Sequence, residues 1–321
     1  MSLVSILIPT YNQPEFFRQA LESAIAQDYS EIEIIVSDDS TDDRVEKVAS
    51  EYKDQIRFLK HRSEIKHVGY ENVNYLLNQA RGEFINFLFH DDLFMPQKIS
   101  TMMKYFNDNV AFVTSRRYLI DDAGNVLNIW GSKDVASPAF FLTGEEIGNT
   151  LLINATNIVG ELTSVLMRRE DLFNPQTRRY EIGTFLGKSY PFHGDIPTWL
   201  ELSRETDKVG IFVTEPLSAF RKSAEQVTQD ISALLQIFIE FPEMIARAFL
   251  TNIFLHDGES LRKSCQQWLK NLNRSVTAIG HDAIYNSQKF SELDLLLQIV
   301  ESLENEDYNL FLKLATSRKN S

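Results

Sequence analysis

The sequence predicts an α/β fold: a mostly parallel sheet flanked by helices, followed by an α-helical C-terminal region. Three observations predict it. Short apolar runs alternate with helical periodicity through roughly the first ninety residues. Polar clusters stand directly after three of those apolar runs. From about residue 224 onward the periodicity is helical throughout.

The elements follow in order. "LVSILI" (3–8) has the length and β-branching of a buried strand. "PEFFRQALESAIAQ" (14–27) places Phe17, Leu21, Ala24 and Ile25 on one helical face, with Asn12 as the expected N-cap and Pro14 and Glu15 in the first turn. "IEIIVS" (32–37), "IRFLK" (56–60) and "EFINFLF" (83–89) read as strands. "DDRVEKVASEYK" (42–53) and "YENVNYLLNQA" (70–80) read as the helices between them. Strand and helix alternating at this spacing imply parallel strands joined by helical crossovers. Pro96 is expected at the start of the next helix. "AFVTSRRYLIDDAGNVLNIW" reads as antiparallel strands around a "DAGN" turn. "TGEE" (143–146) resembles a capping box, "DIPTWLELS" (195–203) a helix, and "VGIFVTEPLSAFRK" (209–222) two short strands around a loop. Farther on, "LRKSCQQWLKNL" sets Leu261, Cys265, Trp268, Leu269 and Leu272 on one face, the pattern of helix packing.

Composition narrows the function classes. The chain has 321 residues, room for a sizeable core, and a formal net charge of −13. Such a surface repels phosphate backbones and anionic lipid headgroups, so nucleic acid is not expected as a partner. With one cysteine, Cys265, no intrachain disulfide can form. The N-terminal "MSLVSILIPTYN" lacks a basic start and turns polar quickly, unlike a secretory signal. No window approaches the roughly 18 apolar residues of a membrane span. These features suit a cytoplasmic protein, at most peripheral to a membrane.

In an open parallel sheet, ligands sit beyond the carboxyl ends of the strands. "PTYN" (9–12), "SDDS" (37–40) and "HDD" (90–92) all fall at that edge. Two of them carry adjacent acids. No Gly-x-Gly-x-x-Gly follows the first strand, and no phosphate loop ends in Gly-Lys-Ser/Thr, so a dinucleotide or P-loop site is excluded. Hard oxygen ligands such as Asp91 and Asp92 suit Mg²⁺ or Mn²⁺ held jointly with substrate phosphates.

On these stretches the sequence resembles a family 2 glycosyltransferase of the GT-A, nucleotide-diphospho-sugar transferase fold. The resemblance is carried by "VSILIPTYNQPEFFRQALESAIAQDYSEIEIIVSDDSTDD" (4–43), "GYENVNYLLNQARGEFINFLFHDDLFMPQKI" (69–99) and "HGDIPTWLEL" (193–202). It covers roughly residues 3–222 and implies a nucleotide-sugar-binding and catalytic domain over 1–222, while the helical periodicity gives a helical C-terminal region over 223–321. It also implies inverting transfer of a sugar from a UDP-sugar or dTDP-sugar to an acceptor hydroxyl. The acceptor is left open among saccharide, lipid-linked and protein classes, as part of glycan or cell-envelope polysaccharide synthesis. By position, Pro9, Thr10, Tyr11 and Asn12 would line the base and ribose, and Asp39 would accept the uracil N–H. Asp91 would face the ribose and metal region, and Asp92 would be the direct metal ligand. Asp195 would be the general base, while Asn74 and Lys66 fall where donor contacts occur. His90 and His193 are read as supporting residues rather than metal ligands. Among the paired arginines, Arg178 and Arg179 lie in the loop expected on the acceptor side.

Four positions depart from the family pattern. "SDDSTDD" lacks the usual glycine, and Phe89 stands where another acid is usual. Gly194 precedes Asp195 in place of Glu, and Ser223 replaces a histidine two residues after Arg221. The last two keep a second reading open, a catalytically weak nucleotide-sugar-binding protein acting through a partner. Turnover of UDP-sugars separates the two readings.

Overall fold

The computed structural model describes residues 1–61, 70–131, 137–205, 207–222, 231–279 and 292–318. The expected class is found: a mixed sheet whose first four strands are parallel, flanked by helices, with further helices at the C-terminal end. Strand β1 (Val4–Thr10) is buried along its whole length, which is why its sequence is a near-continuous apolar run. Helix α1 (Pro14–Ile25) buries Phe17, Ala20, Leu21 and Ala24, one stripe at helical spacing. Its N-cap is Gln13 rather than the expected Asn12. Asn12 sits in the left-handed region with φ 54°, and its Oδ1 accepts from the Thr41 amide (2.9 Å) and hydroxyl (3.0 Å). That tie to the next loop takes the side chain away from the helix.

The chain continues through β2 (Ile32–Asp38), α2 (Arg44–Ser50), β3 (Arg57–Lys60), α3 (Glu71–Leu77), β4 (Phe84–Phe87), β5 (Leu93–Phe94) and α4 (Lys98–Met103). Pro96 precedes the α4 N-cap, Gln97, and so lies just outside the helix instead of in its first turn. Next come β6 (Val110–Ile120) and β7 (Val126–Trp130), antiparallel across the expected turn, where Asp121 and Asn125 bond each other. Then follow β8 (Ala139–Thr143), α5 (Gly144–Asn154), a 3₁₀ turn over Leu162–Ser164, β9 (Val165–Arg168) and the paired short strands β10 (Phe173–Asn174) and β11 (Arg179–Tyr180). A second short pair, β12 (Thr184–Phe185) and β13 (Lys188–Ser189), leads to α6 (Asp195–Leu202) and β14 (Val209–Arg221). The last helices are α7 (Ile231–Leu250), α8 (Gly258–Ile279), α9 (Leu293–Glu304) and α10 (Tyr308–Ala315).

The sheet order is β3-β2-β1-β4-β9-β6-β14-β5, with β7 on β6 and β8 on β14. Strand β1 pairs with β2 from Val4↔Ile32 to Thr10↔Asp38, and with β4 from Val4↔Phe84 to Leu7↔Phe87. One correction concerns 209–222: it is a single strand, not two around a loop. It runs along β6 with register shifts at Val213/Pro216 and Pro216/Ser218. Pro216 cannot donate to the ladder, and the irregularity there lets the strand carry it without breaking.

Two compact units form. One comprises residues 1–144, 158–182 and 205–223, and contains the large sheet. The other comprises residues 145–157, 183–204 and 224–321. In the second, Leu261, Cys265, Trp268 and Leu272 of α8 are buried as the periodicity implies, with Leu269 half-buried. Burial pushes the Cys265 thiol up to about 12, so it stays protonated and packs as a small apolar group. Glu240 and Glu243 of α7 are fully buried and are compensated by Arg318, with Lys188 facing Glu243 and His193 facing Glu240. Among the described residues, no helix is long and apolar enough to cross a membrane.

Two positions in the first unit generate predictions. A Cβ on Gly82 would lie 2.6 Å from the Ser5 amide nitrogen, and the Gly82 N–H itself donates to Ser5 Oγ at 2.8 Å. Gly82→Ala is therefore expected to destabilise by roughly 1–3 kcal/mol in chemical denaturation. Lys98 is fully buried, with Nζ near Ser164 O and Met102 Sδ, each at 3.3 Å. Burial, with Arg117 nearby, brings its proton release from 10.5 down to about 7. Between those values the unfolded chain binds more protons, so this group makes stability rise with pH. Lys98→Met is expected to stabilise by roughly 1–3 kcal/mol near pH 6 and by little near pH 10, read from the pH dependence of the denaturation midpoint.

Candidate active site

The site is built at the carboxyl edge of β1, β2 and β4, within the first unit. Pro9 and Thr10 are buried at the end of β1, with Tyr11 and Asn12 half-buried beyond it. The segment after β2 closes onto them. The Asp39 N–H donates to Thr10 O (3.1 Å), the Asn12 N–H to Ser40 Oγ (2.8 Å), and the Ser40 N–H to Asp38 Oδ1 (3.0 Å). With Thr41 held by Asn12, these bonds order a turn that has no glycine. Asp39 is half-buried at its outer side. Asp38 lies behind it, 1% exposed, and burial raises its carboxyl above the ordinary range. Asp38 Oδ2 and Thr10 Oγ1 are enclosed without a hydrogen-bond partner among the described residues.

Strand β4 delivers the acidic pair. Leu88 is held by Leu7 O (2.9 Å), and the chain then turns with the Asp92 N–H on Phe89 O (3.0 Å). His90 Nε2 meets Gln13 Oε1 at 3.0 Å, and the ring also bonds the Pro9 backbone. Burial lowers its basicity, leaving a neutral ring that ties the β4 end to the β1 end.

The two acids differ in environment. Asp92, the expected direct metal ligand, is only 2% exposed. Its Oδ2 accepts from the Thr163 hydroxyl (2.6 Å) and its Oδ1 from the Arg221 amide (3.1 Å). Burial, and then the charge of Asp91, push its carboxyl well above the usual range. The acid that reaches the open edge is Asp91, which is half-buried. What fixes this turn is Arg221, itself fully buried. Its Nε donates to Asp91 O (2.8 Å), Nη1 to Asp121 O (2.9 Å) and Asp122 O (3.0 Å), and Nη2 to Gln19 Oε1 (2.9 Å). Phe16 lies beneath the guanidinium, 4.4 Å from ring centroid to carbon.

Other expected residues go elsewhere. Asn74 donates to Ile182 O (3.3 Å) and accepts from Ile182 N–H (2.9 Å), while Asn78 brackets Tyr180 in the same way (2.8 and 3.1 Å). Residues i and i+4 of a helix rise about 6.0 Å, close to the roughly 6.6 Å between alternate residues of a strand. The side-chain amides of Asn74 and of the α3 C-cap, Asn78, thus act as a ladder for 180–182. Arg178 and Arg179 are exposed beside this segment. Arg168 pairs with Glu83, and Arg117 with Glu161. Lys66 and Ser223 lie outside the described residues.

Asp195 belongs to the second unit, at the first position of α6 after Gly194. Its Oδ1 accepts from the Ile196 N–H (2.8 Å) and its Oδ2 from the Asn157 amide (2.6 Å). Sequence reasoning missed Thr163, Gln13, Gln19 and Asn157. Their partners stand 71, 77, 202 and 38 residues away, and no local pattern marks them.

Chemically, the first unit offers a polar edge with one enclosed and one presented carboxylate, lined by "PTYN" and the Asp38–Asp39 turn. Among the described residues no group of three or more His, Cys, Asp or Glu side chains is placed to hold a metal. The half-buried Asp91 carboxylate fits an ion that takes its other ligands from a diphosphate and water.

Known proteins are similar to this chain in sequence or in fold. An uncharacterized glycosyltransferase of Rickettsia felis is 32% identical over 208 residues, covering 63% of this chain and 31% of that protein. A GalNAc(5)-diNAcBac-PP-undecaprenol beta-1,3-glucosyltransferase of Campylobacter jejuni is 32% identical over 136 residues, 41% of this chain and 43% of that protein. The chain thus spans less than half the length of either relative. The structure of S. aureus TarS 1-349 in complex with UDP-GlcNAc superposes with a TM-score of 0.56 at 13% identity, over 98% of this chain and 91% of that one, a likeness of fold. The description "Glycosyl transferase family 2" matches residues 5–172, just over half of the sequence. The chain belongs to glycosyl transferase family 2.

Proposed function

We propose that the protein transfers a hexose-type sugar from a UDP-sugar or dTDP-sugar to an acceptor hydroxyl, with inversion, using Mg²⁺ or Mn²⁺. The observation that carries this reading is the convergence of Pro9–Asn12, Asp39 and Asp91 at one sheet edge, with Asp92 locked behind them. The S. aureus TarS 1-349 structure, similar in fold, is a complex with UDP-GlcNAc. A uridine or thymidine base would lie along Pro9, Thr10, Tyr11 and Asn12, and Asp39 would accept its N3–H. Asn74 is not given a donor contact, because its amide is engaged by Ile182.

Asp91 would hold the divalent ion through its presented carboxylate, while Asp92 fixes the turn from behind through Thr163 and Arg221. When bound, the ion offsets the negative charge that develops on the departing diphosphate. Asp195 removes the proton of the attacking hydroxyl, its carboxylate taking that proton as the new glycosidic bond forms. A single displacement requires no second carboxylate as nucleophile, and it inverts the anomeric centre. The name of the Campylobacter relative points to a lipid-linked saccharide as the acceptor class.

The first test is titration calorimetry of UDP with and without Mn²⁺, followed by UDP release from a set of UDP-sugars. Absence of Mn²⁺-dependent UDP binding at millimolar concentration would sink the reading. Asp91→Asn is expected to lower UDP affinity in Mn²⁺ about tenfold or more and to abolish the metal dependence. Asp195→Asn is expected to leave UDP affinity within about twofold while turnover falls by roughly 10²–10⁴.

A further inference from the structure

We propose that Asn157 is a positioning residue: its side-chain amide holds the Asp195 carboxylate in one orientation and in its ionised form. The inference rests on the reading of Asp195 as the base. All the residues involved belong to the second unit.

The geometry is direct. Asn157 Nδ2 lies 2.6 Å from Asp195 Oδ2, and the Ile196 N–H lies 2.8 Å from Oδ1. A donor on each oxygen fixes the plane of the carboxylate. An amide N–H can donate but not accept, so this contact favours the charged carboxylate over the acid. Both side chains are half-buried, where such a bond counts for more than in water.

Asn157 is itself placed by the C-terminal helices. Helix α5 ends at Asn154, and Ala155 turns the chain with φ 44°. Helix α8 reaches this turn with two side chains. Ser264 Oγ donates to Leu152 O (2.6 Å), and Asn271 Nδ2 donates to Ala155 O (3.0 Å). They secure the end of α5, and Asn157 follows two residues after Ala155. The helical region thereby acquires a role: it supports the residue that orients Asp195.

Lys188 of β13 faces Glu243, His193 faces Glu240, and Tyr190 lies near both acids. Glu201 of α6 pairs with Arg204 just beyond the helix and accepts the Leu186 N–H. Glu240 also accepts the Phe192 N–H (3.2 Å), which steadies the backbone just before Asp195.

The test uses the full chain and variants Asn157→Ala, Asn157→Asp and Asp195→Asn. Asp195 is titrated by ¹³C NMR of its side-chain carboxyl, assigned by its loss in Asp195→Asn. UDP release from UDP-glucose, UDP-galactose and UDP-N-acetylglucosamine in Mn²⁺ is followed alongside. Asn157→Ala is expected to raise the Asp195 pKa by about one unit, and Asn157→Asp by more, since two facing carboxylates resist joint ionisation. kcat is expected to fall about ten- to a hundredfold in Asn157→Ala with KM for the donor and UDP affinity unchanged, and the acid limb of the kcat profile to move upward. An unshifted Asp195 titration in folded Asn157→Ala overturns the inference and leaves the base reading intact if Asp195→Asn is inert. Turnover by Asp195→Asn equal to the parent overturns the base reading, and this inference with it.

Discussion

The buried guanidinium of Arg221 is the interaction on which the candidate edge depends. A cation removed from water is tolerated only where its donors are met. Here the acceptors come from three places: α1 through Gln19, the β4–β5 turn through Asp91, and the chain after β6 through Asp121 and Asp122. A planar fork can reach these points at once and lysine's single ammonium cannot. The same residue's amide also holds Asp92. One side chain thus connects segments from residue 19 to residue 221 and sets the turn that presents Asp91.

The two adjacent acids become understandable in this frame. Like charges side by side are costly when buried. The fold separates their environments, enclosing Asp92 under donors from Thr163 and Arg221 and leaving Asp91 at the open edge. Phe89, where an acid is usual in the family, directs its backbone amide to the Thr163 hydroxyl at 3.3 Å, so the same threonine serves both residues. The glycine-free "SDDST" turn is handled similarly, by bonds from Asn12 to Ser40 and Thr41 rather than by backbone freedom.

The second unit uses charge differently. Glu240 and Glu243 lie in a helical core, a burial that is tolerated because Arg318, Arg247 and Lys188 face them, with His193 beside Glu240. Removing one partner from such a group costs far more than the pair contributes. The network joins the last residues of the chain to the segment 188–193, so the helices after residue 224 are continuous with the surroundings of Asp195 within that unit.

The sequence by itself determined the fold class, strands β1–β4 with helices α1–α3 between them, and the residues that gather at the carboxyl edge. Period and alternation are local signals, and a parallel sheet places every strand's C-terminal residues on one side. "PTYN", "SDDS" and "HDD" were therefore legible as neighbours. Tertiary structure alone decided which acid faces outward, that Asn12 ties a loop rather than capping α1, that Asn74 is engaged by Ile182, and that 209–221 is one strand. Each of these depends on a partner far away in sequence, such as Thr163 for Asp92 or β6 for β14. Hydrogen bonds across such distances leave no periodic trace, because a single threonine or asparagine looks the same in a turn as in a site. Only packing brings its partner within 3 Å and gives it a role.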